Sequence, residues 1–84
     1  MKKYLEKQER KYVIATLDRE TYYLKKTPAK IEYEFVTDIA MATKAKTYKL
    51  ADQIKNYYYH DTNSNLDLVV VPVEITYELI DETN

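Results

Sequence analysis

Glycine is absent from this 84-residue chain, and so is cysteine. With no position free of a Cβ, glycine-rich phosphate loops and the dinucleotide-binding fingerprint are excluded. Turns must instead be made by Asn, Asp, Pro and Thr. Without cysteine, neither a disulfide nor a thiolate metal site can staple the fold, a composition that fits an intracellular protein. No apolar run approaches the roughly 18–20 residues needed to span a bilayer. Met1-Lys2-Lys3 opens as a signal peptide does, but the residues that follow are mostly charged, so the apolar segment is missing. The expectation is a cytoplasmic protein with no membrane association.

Tyrosine is abundant, with ten residues. It combines a large apolar body with a polar tip, which suits both strands and contact surfaces. The net charge of −1 hides a segregation: residues 1–60 sum to +5 and residues 61–84 to −6. If the last strand pairs with earlier ones, the two signs meet within the fold. The competing reading is a bipolar surface that steers a charged partner.

The chain is organised around residues 66–80. From Val69 the odd positions Val69, Val71, Val73, Ile75, Tyr77 and Leu79 are apolar or aromatic, while Glu74, Thr76 and Glu78 are polar. That alternation predicts a strand with its odd-numbered row on a core. Leu66, Leu68 and Val70 make the other face of its first half apolar too, so that half is buried on both sides or lies against a partner. Pro72 cannot donate to a ladder, which places it at an edge, a bulge or a bend.

Upstream, residues 1–10 suit a loose arm or a short exposed helix. Residues 11–17 and 21–26 alternate as strands around a polar connection and predict a β-hairpin. Ile31, Tyr33 and Phe35 against Glu32 and Glu34 predict a third strand. Residues 39–46 read as a further short strand. Thr47 is a candidate N-cap for a helix over 48–58, whose apolar stripe is Leu50, Ala51, Ile54, Tyr57 and Tyr58. An asparagine of the following polar loop is expected to take the left-handed backbone. Residues 81–84 form an acidic tail. The whole is one α+β domain over residues 1–84: a small antiparallel or mixed sheet of four to five strands with one main helix on one face, β-β-β-(β)-α-β.

Candidate chemistry is sparse. His60 is the single histidine and lacks an evident nucleophile. Glu32/Glu34 and Glu74/Glu78 are paired carboxylates on wet strand faces, where nothing separates their pKa values. Asp61, Asn63, Asn65 and Asp67 match a calcium loop only by composition, without its glycine or closing glutamate. No catalytic residue, metal or cofactor is expected, and the chain does not read as an enzyme. Lys25, Lys26, Lys30, Lys44, Lys46, Lys49 and Lys55 could contact phosphates, but a pI near 5.8 argues against a dedicated nucleic-acid domain. Three consecutive aromatics on a helix cannot share one face, so at least one of Tyr57, Tyr58 and Tyr59 must be exposed, with Tyr59 the expected one.

Tyr12-Val13-Ile14-Ala15-Thr16, Thr21-Tyr22-Tyr23-Leu24-Lys25-Lys26-Thr27-Pro28, and Ala42-Thr43-Lys44-Ala45-Lys46-Thr47 leading into a helix together resemble small early proteins of Gram-positive phages, staphylococcal or streptococcal in type. That resemblance spans residues 11–82 and rests on pattern and composition. It implies an accessory protein in the host cytoplasm that acts by binding, as anti-defence proteins and anti-CRISPR inhibitors of Cas9 do. The expected function is a non-catalytic protein that inhibits or redirects a host protein, a CRISPR nuclease among the candidates. Its expected contact residues are Tyr22, Tyr23, Tyr58, Tyr59 and the acidic set Glu74, Glu78, Asp81 and Glu82. The alternatives are nucleic-acid binding through the lysines and a self-associating structural protein, a homodimer being the simplest form.

Overall fold

A computed structural model describes residues 2–27 and 32–81, and the side chains within 7–27 and 32–77. The elements are β1 (Lys2–Thr16), β2 (Tyr23–Lys26), β3 (Tyr33–Val36), a 3-10 turn (Ile39–Met41), α1 (Tyr48–Thr62) and β4 (Leu68–Asp81). The strands form one antiparallel sheet in the order β3-β2-β1-β4. With α1 against one face, this is the expected α+β architecture.

The helix starts and stops where its end residues dictate. Thr47 is extended, and its hydroxyl accepts from the Leu50 N–H at 3.1 Å, satisfying one of the free donors of the first turn. Asn63 ends the helix in the left-handed region at φ 52°, and its N–H donates to the Tyr59 carbonyl. Ala51 and Tyr58 are buried, with Ile54 packed beside them. They face Ile14, Leu24 and Leu68 on the sheet, flanked by Tyr12, Tyr33, Phe35 and Val70.

This arrangement reverses one expectation. The helix covers the face of β4 that carries Leu68 and Val70, not the odd-numbered row. Register decides it: Val70 stands opposite Ile14 and Leu68 opposite Thr16. The first half of β4 is apolar on both faces, so alternation alone cannot choose between them. Ile14, Leu24 and Phe35 on the neighbouring strands make the choice. The odd-numbered residues Val69, Val71, Val73 and Ile75 are half-buried on the opposite face, where Val13 and Ala15 are buried, and Tyr77 is exposed.

Residues 39–46 are not a strand. Ile39–Met41 is a 3-10 turn capped by Asp38, whose carboxylate accepts from the Ala40 N–H at 2.9 Å. Thr43 then donates to the Leu24 carbonyl, and Ala45 exchanges both backbone bonds with Tyr12. The segment fills the opening where β2 leaves β1, and continues the ladder for a single residue.

The first ten residues are neither a loose arm nor a helix. They extend β1, with Lys2 opposite Asp81, Leu5 opposite Glu78 and Arg10 opposite Glu74. The segregated charges of the sequence thus meet across one ladder, and the Arg10 guanidinium lies 2.9 Å from the Glu74 carboxylate. The ladder irregularity falls between Leu5 and Lys7 in β1, while β4 pairs without interruption through Pro72. The resulting ribbon runs past the helix-covered core and stretches the molecule to 55 × 26 × 22 Å.

Candidate functional site

The largest concavity lies at the end of the sheet where β1 finishes and β4 begins. A cavity of about 580 Å³ is lined by Thr16, Leu17, Asp18, Tyr22, Phe35, Asn65, Leu66 and Asp67. Two connections build it. Residues 17–22 loop from β1 to β2, held because the Thr16 hydroxyl accepts from the Tyr22 N–H and donates to the Glu20 carbonyl. Residues 63–67 follow the helix and are pinned by Tyr59, whose hydroxyl donates to the Leu66 carbonyl at 2.6 Å and accepts from the Leu68 N–H at 3.0 Å. A bond from the Leu17 N–H to the Asp67 carbonyl ties the two loops together.

Leu17 and Leu66 are 66% and 43% exposed, so the groove offers two large aliphatic side chains to solvent. Its rim is acidic. Asp18 accepts from the Arg19 N–H within its own turn, and neither Asp18 nor Asp67 has an ion-pair partner among the described residues. Glu20 stands close by, accepting from the Tyr22 hydroxyl at 2.6 Å, a bond that raises the Tyr22 pKa. The groove can take an apolar side chain and hold a cation at its edge.

The expected contact residues fall into different places. Tyr22 lines the groove. Tyr23 is half-buried within β2, opposite Ala15 and Val36. Tyr58 is core: its ring meets Tyr33, Phe35 and Tyr59 edge-on at 5.3, 5.6 and 5.8 Å. Tyr59 is half-buried and spent on the loop, and the exposed member of the triplet is Tyr57. Glu74 is neutralised by Arg10. Glu78 and Asp81 take part in the β1–β4 ladder, and Glu82 lies outside the described residues. The structure therefore does not gather this set into one surface.

Leu17, Asp18, Leu66 and Asp67 were missed. The available signal was an apolar residue at the end of each strand pattern, next to a carboxylate, at two places the topology makes adjacent.

His60 is exposed, its Nδ1 3.4 Å from Asp61, whose other oxygen accepts from the Tyr33 hydroxyl at 2.6 Å. That bond, followed by the one from His60, holds the Asp61 carboxyl below its usual range. Burial, and then the same bond, push the Tyr33 hydroxyl up to about 12. This trio joins helix end to β3 and opens onto no cavity. Among the described residues no cluster of three or more His, Asp or Glu is placed to hold a metal. Several lysines are already engaged: Lys25 with Glu34 at 3.5 Å, Lys55 with Asp52 at 3.1 Å, and Lys44 with the Ala40 and Ala42 carbonyls. Among the described residues no helix is long and apolar enough to cross a membrane.

No protein family, curated protein or solved structure matches this chain.

Proposed function

We propose that this chain is a non-catalytic binding protein that inhibits or redirects a host protein, using the acidic-rimmed groove between its two end loops. The observation that carries the reading is the pairing of exposed Leu17 and Leu66 with the unpaired carboxylates of Asp18 and Asp67 around one cavity. An aliphatic floor exposed to water costs about 25 cal/mol per Å², which a docked side chain recovers. Uncompensated carboxylates at the rim favour a partner segment bearing Lys or Arg beside an apolar anchor, and set its orientation. The resemblance to small early phage proteins supplies the class of partner, a host protein, with a Cas9-type nuclease as the first to test.

The experiment is a pull-down from staphylococcal or streptococcal lysate, with and without a Cas9–guide complex, using the wild-type chain beside a Leu17→Glu/Leu66→Lys variant. A partner held by the wild type and lost by the variant is the expected result. Recovery of nothing at micromolar bait, or equal recovery by both baits, would sink the groove as the site.

A further inference from the structure

The outer half of the β1–β4 ribbon is a structural problem as a monomer. Beyond Tyr12 and Pro72, β1 and β4 pair only with each other, and α1 does not reach that far. A two-stranded ribbon without a third strand or a covering helix is marginal in water. The dimensions express the same fact. The radius of gyration is 15.6 Å, against about 12 Å for a compact chain of this length. The accessible surface is 6512 Å², roughly 1,300 Å² above that of a compact monomer of this mass.

The two faces of the ribbon differ. On the helix side Arg10 pairs with Glu74, and Gln8 stands opposite Thr76. On the other side Val73, Ile75 and Tyr77 form a row, and Ile39 and Ala40 of the 3-10 turn rise beside it. Between turn and row lies a cleft of about 260 Å³, lined by Ile39, Ala40, Lys44, Val73 and Ile75. Tyr77, just past the cleft, is 47% exposed. We propose that this face is the interface of a two-fold dimer, in which the Tyr77 ring of each copy seats in the Ile39–Val73–Ile75 cleft of the other.

A second copy is the occupant the observations favour. A two-fold contact needs one strip that is complementary to itself, and a protruding ring two residues from a cleft is such a strip. The surplus surface exceeds the roughly 800 Å² per subunit of a standard interface. Charge asks for no other partner. Glu9 lies 3.7 and 3.6 Å from Lys7 and Lys11, and the Lys44 amine is bonded to backbone carbonyls. The free edge of β4 is the poorer alternative. Tyr12 turns both its backbone groups to Ala45, so the opposite residue, Pro72, directs its nitrogen away from β1. The donor that Pro72 lacks is therefore missing from the outer edge, where a strand of another copy would need it. The dimer does not depend on the groove, which lies at the opposite end of β1 and β4.

Sedimentation equilibrium from micromolar to sub-millimolar concentration tests the proposal. The expected species is twice 10.0 kDa. Tyr77→Lys and, separately, Ile39→Lys should each weaken it about thirty-fold, with circular dichroism unchanged. Because the chain has no cysteine of its own, Ile39→Cys mixed with Tyr77→Cys should oxidise to a mixed disulfide dimer. A monomer throughout the range overturns the proposal. So does a dimer that survives both lysine variants, or one broken instead by Val70→Pro, which would place the contact on the β4 edge.

Discussion

Three tyrosines show how little residue type says about role. Tyr58 fills the core, Tyr59 fastens a loop, and Tyr57, beside them, is in solvent. Tyr59→Phe keeps the ring and removes the hydroxyl that bridges Leu66 and Leu68. It should cost roughly 1–2 kcal/mol, measured as a shift in urea midpoint, because two backbone groups lose their partner. No loss would mean that the loop holds itself. Tyr33 and Asp61 make a pH-sensitive pair. The folded Tyr33 pKa is raised, so its contribution is complete below pH about 10 and is lost as the pH climbs towards about 12. The folded Asp61 pKa is lowered, so its contribution is complete above the ordinary carboxylate value of about 4 and disappears as the pH falls through the folded value. Tyr33→Phe should therefore flatten both the acid and the alkaline limb of a stability–pH profile. Limbs of undiminished height in the variant would rule out the bond as their source.

Among the elements, β4 governs the behaviour of the sheet. Its first half is covered on one face by α1 and bordered on the other by the 3-10 turn, while its outer edge pairs with no strand among the described residues. A long, β-branched edge invites pairing with other chains, and proline is one way to blunt it. Since the Pro72 nitrogen points outward, Pro72→Val removes nothing from the β1–β4 ladder and restores a donor to the edge. The variant should fold with equal or greater stability and self-associate further, read as rising light scattering on incubation. Scattering equal to the wild type would show that the edge is guarded by something else, Glu74 being the nearest candidate.

For the molecule as a whole, elongation dominates. A chain this small buries a modest fraction of its surface even when compact, and the ribbon leaves more of it wet. If the ribbon face is covered by a second copy, stability becomes linked to concentration. The melting temperature of the wild type should then rise across a hundredfold increase in concentration, while that of Tyr77→Lys stays constant. Equal behaviour of the two chains would mean that each ribbon stands alone.

Local chemistry settled much of this fold in the sequence. Thr47 and Asn63 mark the helix ends because their own side chains and backbone preferences satisfy its free groups. Strand alternation located β2, β3 and β4, and Pro72 declared an edge because it has no N–H. The charge imbalance between the two parts of the chain foretold that β4 would lie against basic residues. Tertiary structure alone decided the rest. The lysine-rich start became a strand only because β4 offers it a ladder and opposite charge, neither of which is local. The face that α1 covers was open because β4 is apolar on both sides at its start. The groove was invisible because Leu17 and Leu66 are distant along the chain, and only the pairing of β1 with β4 makes them neighbours.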